Sequence, residues 1–486
     1  MVTSESVPFA KSGGLADVVG ALSVELKKQG DDVRIVMPRY YSIPTEGMED
    51  LGAMCVHMGF GEQWCRIVRT TIPNSEVPVY FIDHEHYYGR SGIYGPSPDT
   101  SFEDNPQRFA FLSVASFELC RKLDWIPDVM HCHDWPGGPV PLLLKVREHY
   151  DRFHRTSSIM TIHNLGYQGN FGTEMAQALP LSLDEIADHH GMHMGDINYL
   201  KMGIENAHIV STVSPTYAEE IKTAAYGYSL ETSLRYREHD LFGIINGMDY
   251  DEWNPERDPF LAPSNYSSDT LETKTELKMR VQKEAGLEVD PQIPLIGIVS
   301  RLVDQKGFGE LCGPAFGRLY DILNDMVVQF IILGTGERWC ETELLNLERS
   351  CPNLKSFITY SNRLAHLVEG ASDFFLMPSK YEPCGLNQLY SLRYGTLPIV
   401  RRTGGLADTV EQYNEQTGSG TGFLFDELTP NSIYYTVGWA VSTWFDRPDH
   451  IQKMRMEAMS RRFSWEGSAQ EYRNLYQWSQ DRLAGV

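Results

Sequence analysis

The feature that most constrains this chain is a rhythm that runs along its whole length: short, apolar, β-branched runs alternating with helical apolar periodicity. Residues 33–37, 77–82, 128–132, 159–162 and 208–213 read as buried strands. Between them, Leu15, Val18, Val19, Leu22 and Leu26 fall on one helical face, and Gly30 follows as a C-terminal stop. Strands that alternate with helices predict parallel sheets covered on both sides. A second series, at 295–300, 327–333, 356–360, 374–377 and 397–400, repeats the pattern. Residues 258–269 lie between the two series and carry two prolines among serines and an asparagine, so they read as a linker. The expected fold class is therefore α/β, with two doubly wound domains over 1–257 and 258–463. Residues 464–486 are expected to form an amphipathic helix that packs back on the first domain. A hinge is expected in 255–265 and near the crossover into that helix. Residues 1–3 read as the end of a strand that begins upstream, which would leave any targeting peptide out of view.

Charge and cysteines narrow the function. Lys and Arg total 42 against 65 Asp and Glu, a formal charge of −23. Such a surface repels polyanions, so no nucleic-acid polymer is expected as a partner, whereas a neutral carbohydrate meets no penalty. An anionic ligand would need a local positive site. The eight cysteines form no C-x-x-C pair and match no zinc spacing, and they read as reduced, intracellular thiols. No apolar run approaches the roughly 18 residues of a membrane span, and no signal peptide is visible.

The candidate chemistry gathers at strand-to-helix turns. Lys11-Ser12-Gly13-Gly14-Leu15-Ala16-Asp17 is echoed by Arg402-Thr403-Gly404-Gly405-Leu406-Ala407-Asp408. Paired glycines at a helix start let backbone approach a ligand, and free N–H groups favour an anion. The same features also suit a tight turn beside a solvated lysine. Arg301 and Lys306 follow the strand at 295–300, where a guanidinium fork and an ammonium together suit a diphosphate; they could equally be surface cations. Glu382, in Tyr381-Glu382-Pro383-Cys384-Gly385-Leu386, can accept from sugar hydroxyls or simply complement a helix N-terminus. Polar residues also end two first-domain strands, at Thr161-Ile162-His163-Asn164 and His131-Cys132-His133-Asp134-Trp135. His131 and His133 alternate on a strand without a third metal ligand in view. Asp249-Tyr250-Asp251 has the form of an Asp-x-Asp metal motif but is also an ordinary solvated loop. No metal or cofactor is assigned.

Taken together, these motifs resemble the starch and glycogen synthase family. Besides those above, Thr212-Val213-Ser214-Pro215 and Ile245-Asn246-Gly247-Met248-Asp249 match, in family order and over nearly the whole chain. The resemblance implies the GT-B architecture, two Rossmann-like domains facing a central cleft. It also implies retaining transfer of glucose from ADP-glucose to the 4-hydroxyl end of an α-1,4-glucan or maltooligosaccharide. Under it, His163, Arg301, Lys306 and Glu382 are catalytic. Lys11, Gly13, Gly14 and Asp17 border the nucleotide sugar, and Tyr94, Asp134, Asn164 and Asn246 lie on the sugar and acceptor side. Tyr360 stacks on adenine, Cys384, Gly385 and Leu386 complete the donor loop, and Thr403, Gly404 and Gly405 face the distal phosphate. Related glycosyltransferases repeat a glutamate eight positions after the first, where this chain has Tyr390; this branch usually lacks the second acid. The competing expectations are a non-catalytic glucan-binding scaffold and another GT-B enzyme such as a sucrose or trehalose-phosphate synthase. The location implied is cytoplasmic in a bacterium, and plastid or cytosol in an alga or plant.

Overall fold

The computed structural model describes residues 1–97 and 100–485. The chain forms two compact α/β units, one of Met1–Gly247 completed by the chain from Trp465 onward, the other of Met248–Ser464.

In the first unit the strands are β1 (Ile35–Pro38), β2 (Glu49–Met58), β3 (Gly61–Thr71), β4 (Pro78–Asp83), β5 (Val129–His133) and β6 (Ser157–Ile162). Three short strands follow, β7 (Asn170–Phe171), β8 (Met192–His193) and β9 (Asp196–Asn198), which make a small separate sheet. β10 (Ile209–Thr212) and β11 (Leu241–Gly243) return to the main sheet. That sheet has two halves, β2-β3-β4-β1 and β5-β6-β10-β11. Val2 joins them, bridging Val36 on one side and Cys132 on the other, both in parallel. With Val2 counted as the first strand, the order β4, β1, Val2, β5, β6, β10 is the 3-2-1-4-5-6 winding of a dinucleotide-binding fold. Ligands in such sheets bind where the winding reverses, here between Val2 and β5.

The expectation of parallel sheets fails at one edge, where β2 pairs β3 and β3 pairs β4 in antiparallel fashion. The cause is visible in the residues. Met54, Val56 and Met58 are buried while Cys55 and His57 turn outward, the alternation of a sheet with one solvated face.

The helix Trp465–Ala484 belongs to this unit. Its Trp465, Ala469, Tyr472 and Leu475 pack with Val18, Leu22 and Leu26 of the helix Gly14–Lys28 and with Ile159, Ile209 and Ile244.

The second unit holds β12 (Leu295–Val299), β13 (Gln329–Gly334), β14 (Leu354–Ile358), β15 (Phe374–Met377), β16 (Leu397–Arg401) and β17 (Phe423–Phe425). All pair in parallel, in the order β14-β13-β12-β15-β16-β17, again 3-2-1-4-5-6. Apolar side chains fill both faces: Phe330, Ile332, Phe374 and Leu376 lie in one core layer, Leu295, Ile331, Phe375 and Val400 in the other.

Residues 258–269 are not a loose linker. Asp258 is buried, with its carboxylate 2.7 Å from His366 Nδ1 and accepting from Tyr394 Oη at 2.5 Å. Leu261 and Tyr266 sit in the core, and Tyr266 Oη lies 2.8 Å from the carbonyls of Gly370 and Tyr394. The polar composition that suggests a linker is satisfied by partners far along the chain. The chain enters this unit earlier, at Met248, because Trp253 stacks between His366 and Tyr390 with ring centroids 3.8 Å from each. The expected hinge at 255–265 therefore falls inside a packed core.

Candidate active site

In the second unit three loops meet at the carboxyl ends of β12, β15 and β16. The first follows β12 and carries Arg301 and the 3-10 turn Asp304–Lys306. It ends at Gly307, whose φ of +77° suits glycine. A Cβ on Gly307 would also lie 1.9 Å from the Pro378 carbonyl oxygen, so the glycine brings the loops after β12 and β15 together. Lys306 Nζ then sits 2.6 Å from Glu382 Oε2, which also accepts from Ser379 Oγ at 2.9 Å. Ser379 was not foreseen, and nothing local in the sequence marks it. Arg301 stays exposed, with Gln305 Oε1 at 3.3 Å and no carboxylate partner among the described residues. Gln305 in turn donates to the Tyr381 carbonyl at 3.4 Å.

The third loop docks against the second. A Cβ on Gly404, whose φ is +44°, would lie 1.9 Å from the Glu382 carbonyl oxygen. One on Gly405 would lie 2.0 Å from that of Cys384. The Gly405 N–H donates to the Glu382 and Pro383 carbonyls at 3.1 and 3.2 Å. In this structure that donor, expected to face a phosphate, holds the two loops together. Buried Thr403 precedes the short helix Gly404–Thr409. Cys384 is buried, Gly385 is left-handed at φ +73°, and Leu386 is half-buried. Gln388 Nε2 donates to the carbonyls of Cys384 and Gly385 and holds the loop's shape. Tyr360 stands beyond β14, two strands out from β12, and is 86% exposed.

The first unit builds its own cluster at its own switch point. The turn after Val2 is organised by Glu5, 2% exposed, which no local signal in the sequence marks. Its carboxylate accepts from the Ser12 N–H, from Ser12 Oγ at 2.8 Å and from Tyr94 Oη at 2.6 Å. Tyr94 Oη also lies 2.7 Å from Ser4 Oγ, so this tyrosine is tied into the turn. Lys11 Nζ pairs with Asp17 at 2.8 Å, and both remain partly exposed. A Cβ on Gly13 or Gly14 would meet nothing within 4 Å. The two glycine pairs thus share a local motif and differ in use: the first leaves space open and the second fills it.

Asp134 follows β5 with φ +51°, an uncommon conformation outside glycine. Its Oδ1 accepts from the N–H groups of His163 and Asn164 at 2.7 and 3.4 Å. Burial pushes its pKa up to about 7, against the lowering effect of those two bonds. Asn164 Oδ1 accepts from the Gly166 N–H at 3.0 Å. His163 Nε2 lies 3.0 Å from His133 Nδ1, and burial lowers the His163 pKa to about 3. Burial thus favours the neutral imidazole, which suits hydrogen bonding rather than delivery of a proton as an imidazolium. His133 Nε2 and Asn246 Oδ1 are buried without a hydrogen-bond partner among the described residues. The ring nitrogens of His131 face Tyr476 Oη at 2.9 Å and Thr161 Oγ1 at 2.6 Å, which explains it without a metal. Asp249 Oδ1 likewise accepts from the N–H groups of Asp251 and Glu252, and Asp251 pairs with Arg257.

Comparison with known proteins agrees with this geometry. Residues 1–236 match the family model of the starch synthase catalytic domain, and residues 282–453 that of the glycosyl transferases group 1. A glycogen synthase of Treponema denticola is 50% identical over 98% of this chain and 97% of its own. Glycogen synthase 1 of Geobacter metallireducens is 43% identical over 98% and 95%. Among solved structures, the catalytic domain of starch synthase IV from Arabidopsis thaliana, bound to ADP and acarbose, superposes with a TM-score of 0.88 at 30% identity, covering 98% of each chain. A sucrose-phosphate synthase from Thermosynechococcus elongatus shares the fold alone, with a TM-score of 0.58 at 16% identity over 96% and 93% of the two chains. Two doubly wound units with polar clusters at their switch points, and a half-identical relative along the full length, lead to one conclusion: the chain belongs to the starch/glycogen synthase family of glycosyltransferases.

Proposed function

We propose that this enzyme transfers glucose from ADP-glucose to the non-reducing 4-hydroxyl end of an α-1,4-glucan, with retention of configuration and release of ADP. The observation that carries this reading is the cluster at the switch point of the second unit. There Lys306 clasps Glu382, and Arg301 stands exposed on the same loop as Lys306 with no carboxylate of its own among the described residues. Such a pair of cations suits a diphosphate. The ADP bound to the Arabidopsis starch synthase supports the choice of nucleotide.

In this reading Arg301 and Lys306 hold the diphosphate, and Glu382 with the loop of Cys384, Gly385 and Leu386 lines the donor glucose. Tyr360 stacks on adenine, and Thr403 and Gly404 flank the distal phosphate. In the first unit, Lys11 with the open turn of Gly13 and Gly14 suits an anion, and Asp17 tempers the lysine. His163, Asn164, Asn246 and Asp134 serve sugar hydroxyls, directly or by fixing one another.

The bond from glucose C1 to the diphosphate oxygen breaks while the acceptor O4 attacks the same face. The O4 proton passes to the departing phosphate. Negative charge grows on the diphosphate, where each positioned donor is worth ~2.7–4 kcal/mol, or ~10²–10³ in rate. His163, being neutral, orients the sugar. We place the reaction inside the cell, in the cytoplasm of a bacterium or the plastid or cytosol of an alga or plant; the eight free thiols, seven of them buried, support this.

Incubation with labelled ADP-glucose and a short maltooligosaccharide tests the reading. A lengthened ladder, suppressed by unlabelled ADP-glucose more strongly than by UDP-glucose, is expected. Bound but unlengthened sugar would instead favour a scaffold.

A further inference from the structure

We propose that Cys55, His57 and Glu62 form a binding site for a zinc-like divalent transition-metal ion on the outer face of the β2–β3 hairpin, separate from the residues assigned to catalysis. The ligand atoms of the three side chains all lie within 4.8 Å of one another. His57 Nε2 is 3.6 Å from a Glu62 carboxylate oxygen. The register explains the convergence. His57 stands directly opposite Glu62, and Cys55 is one pleat further along its strand, opposite Trp64. Residues two apart on a strand share a face, and cross-strand partners share it too. The three donors therefore project from one side of the ribbon by the geometry of the pairing alone. Because they come from two strands, the site has no linear C-x-x-C or H-x-x-x-H spacing, which is why cysteine spacing does not reveal it.

The platform is held in place. Met54, Val56 and Met58 of β2 and Cys65 and Ile67 of β3 are buried beneath it. At the hairpin tip, a Cβ on Gly59 would lie 2.2 Å from the Leu179 carbonyl oxygen and 2.3 Å from that of Gln177. The tip is thus docked against the segment that follows Thr173, and an ion meets donors already gathered, with little ordering still to be done.

The donor set selects the ion. A thiolate, an imidazole and a carboxylate suit zinc and its neighbours, whereas calcium and magnesium favour oxygen alone. Three protein ligands leave the fourth tetrahedral position to water. A bound ion is ligated by the thiolate form of Cys55, so binding displaces the thiol proton. The other seven cysteines are buried, which leaves Cys55 as the accessible thiol.

Titration of the reduced full-length enzyme with Co²⁺ tests the site. One equivalent should produce a thiolate-to-cobalt charge-transfer band that Zn²⁺ then displaces. Cys55→Ser should abolish the band, and His57→Ala or Glu62→Ala should weaken binding about tenfold or more. All three variants should elongate glucan as the parent does. Absence of the band in the parent enzyme, its survival in Cys55→Ser, or unchanged affinity in both His57→Ala and Glu62→Ala would overturn the proposal.

Discussion

Asp134 illustrates how a single residue is shaped by its surroundings. A carboxylate on an exposed loop would titrate near 4, but enclosure beside β5 pushes this one up to about 7. Its pKa is higher in the folded than in the unfolded chain, so the uncharged form is the one that folding favours. The associated stability is fully present below about 3.8 and is lost as pH rises through about 7. Asp134→Asn keeps an oxygen for the His163 and Asn164 amides and removes the charge. The variant should gain stability relative to the parent between pH 4 and 8, read as a rising difference in urea midpoints; a difference that stays flat would contradict the burial argument. His163 shows the converse effect, a base that burial keeps neutral, and so its place is in orientation.

Between elements, glycine separates contact from vacancy. Gly404→Ala must push a methyl group into the Glu382 carbonyl oxygen from a left-handed backbone. The donor loop should shift and ADP affinity should fall, measured by calorimetry. Gly13→Ala enters open space, and its folding stability should change by no more than about 0.5 kcal/mol. A similar loss of stability in both would contradict the docking of the two loops.

The stack of His366, Trp253 and Tyr390 gives a second prediction at this scale. Burial would lower the His366 pKa, but the hydrogen bond to Asp258 and the nearby negative charges of Asp258 and Glu252 outweigh it and raise the value to about 9. The folded pKa exceeds the unfolded one, so the stabilisation is complete below about 6.5 and disappears as pH passes 9. The unfolding free-energy gap between the parent and His366→Gln should narrow across that window. Tyr390 stands where related enzymes repeat a glutamate, and its ring is parallel to Trp253 within 3°. A carboxylate there would give up that stacked contact.

Across the whole molecule, the first unit depends on residues at both ends of the chain. Tyr472, fully buried, packs between the sheet and the helix Gly14–Lys28. Tyr472→Ala should cost about 3–5 kcal/mol, and limited proteolysis should then cut the first unit before the second. Most of the parallel strands were legible in the sequence because each is a continuous apolar run bounded by polar turns; the three-residue β11 and β17 were not, being too short to stand out. The β2–β3 hairpin was not, because its half-exposed alternation is weaker than those runs. Asp258 misled for a different reason: its partner His366 lies 108 positions away, and no local composition reports such a bond. At the site, the glycine turns, Arg301, Lys306 and Glu382 were legible as motifs. Glu5 and Ser379 were hidden, since each acts only through a contact made by folding.

The most direct measurement is glucan elongation by the Arg301→Ala/Lys306→Ala double variant, with folding checked by circular dichroism and thermal unfolding. If these side chains stabilise the departing diphosphate, transfer from ADP-glucose should fall by at least ~10²–10³ in a variant that remains folded. Elongation at the parent rate by that folded variant would contradict the assignment.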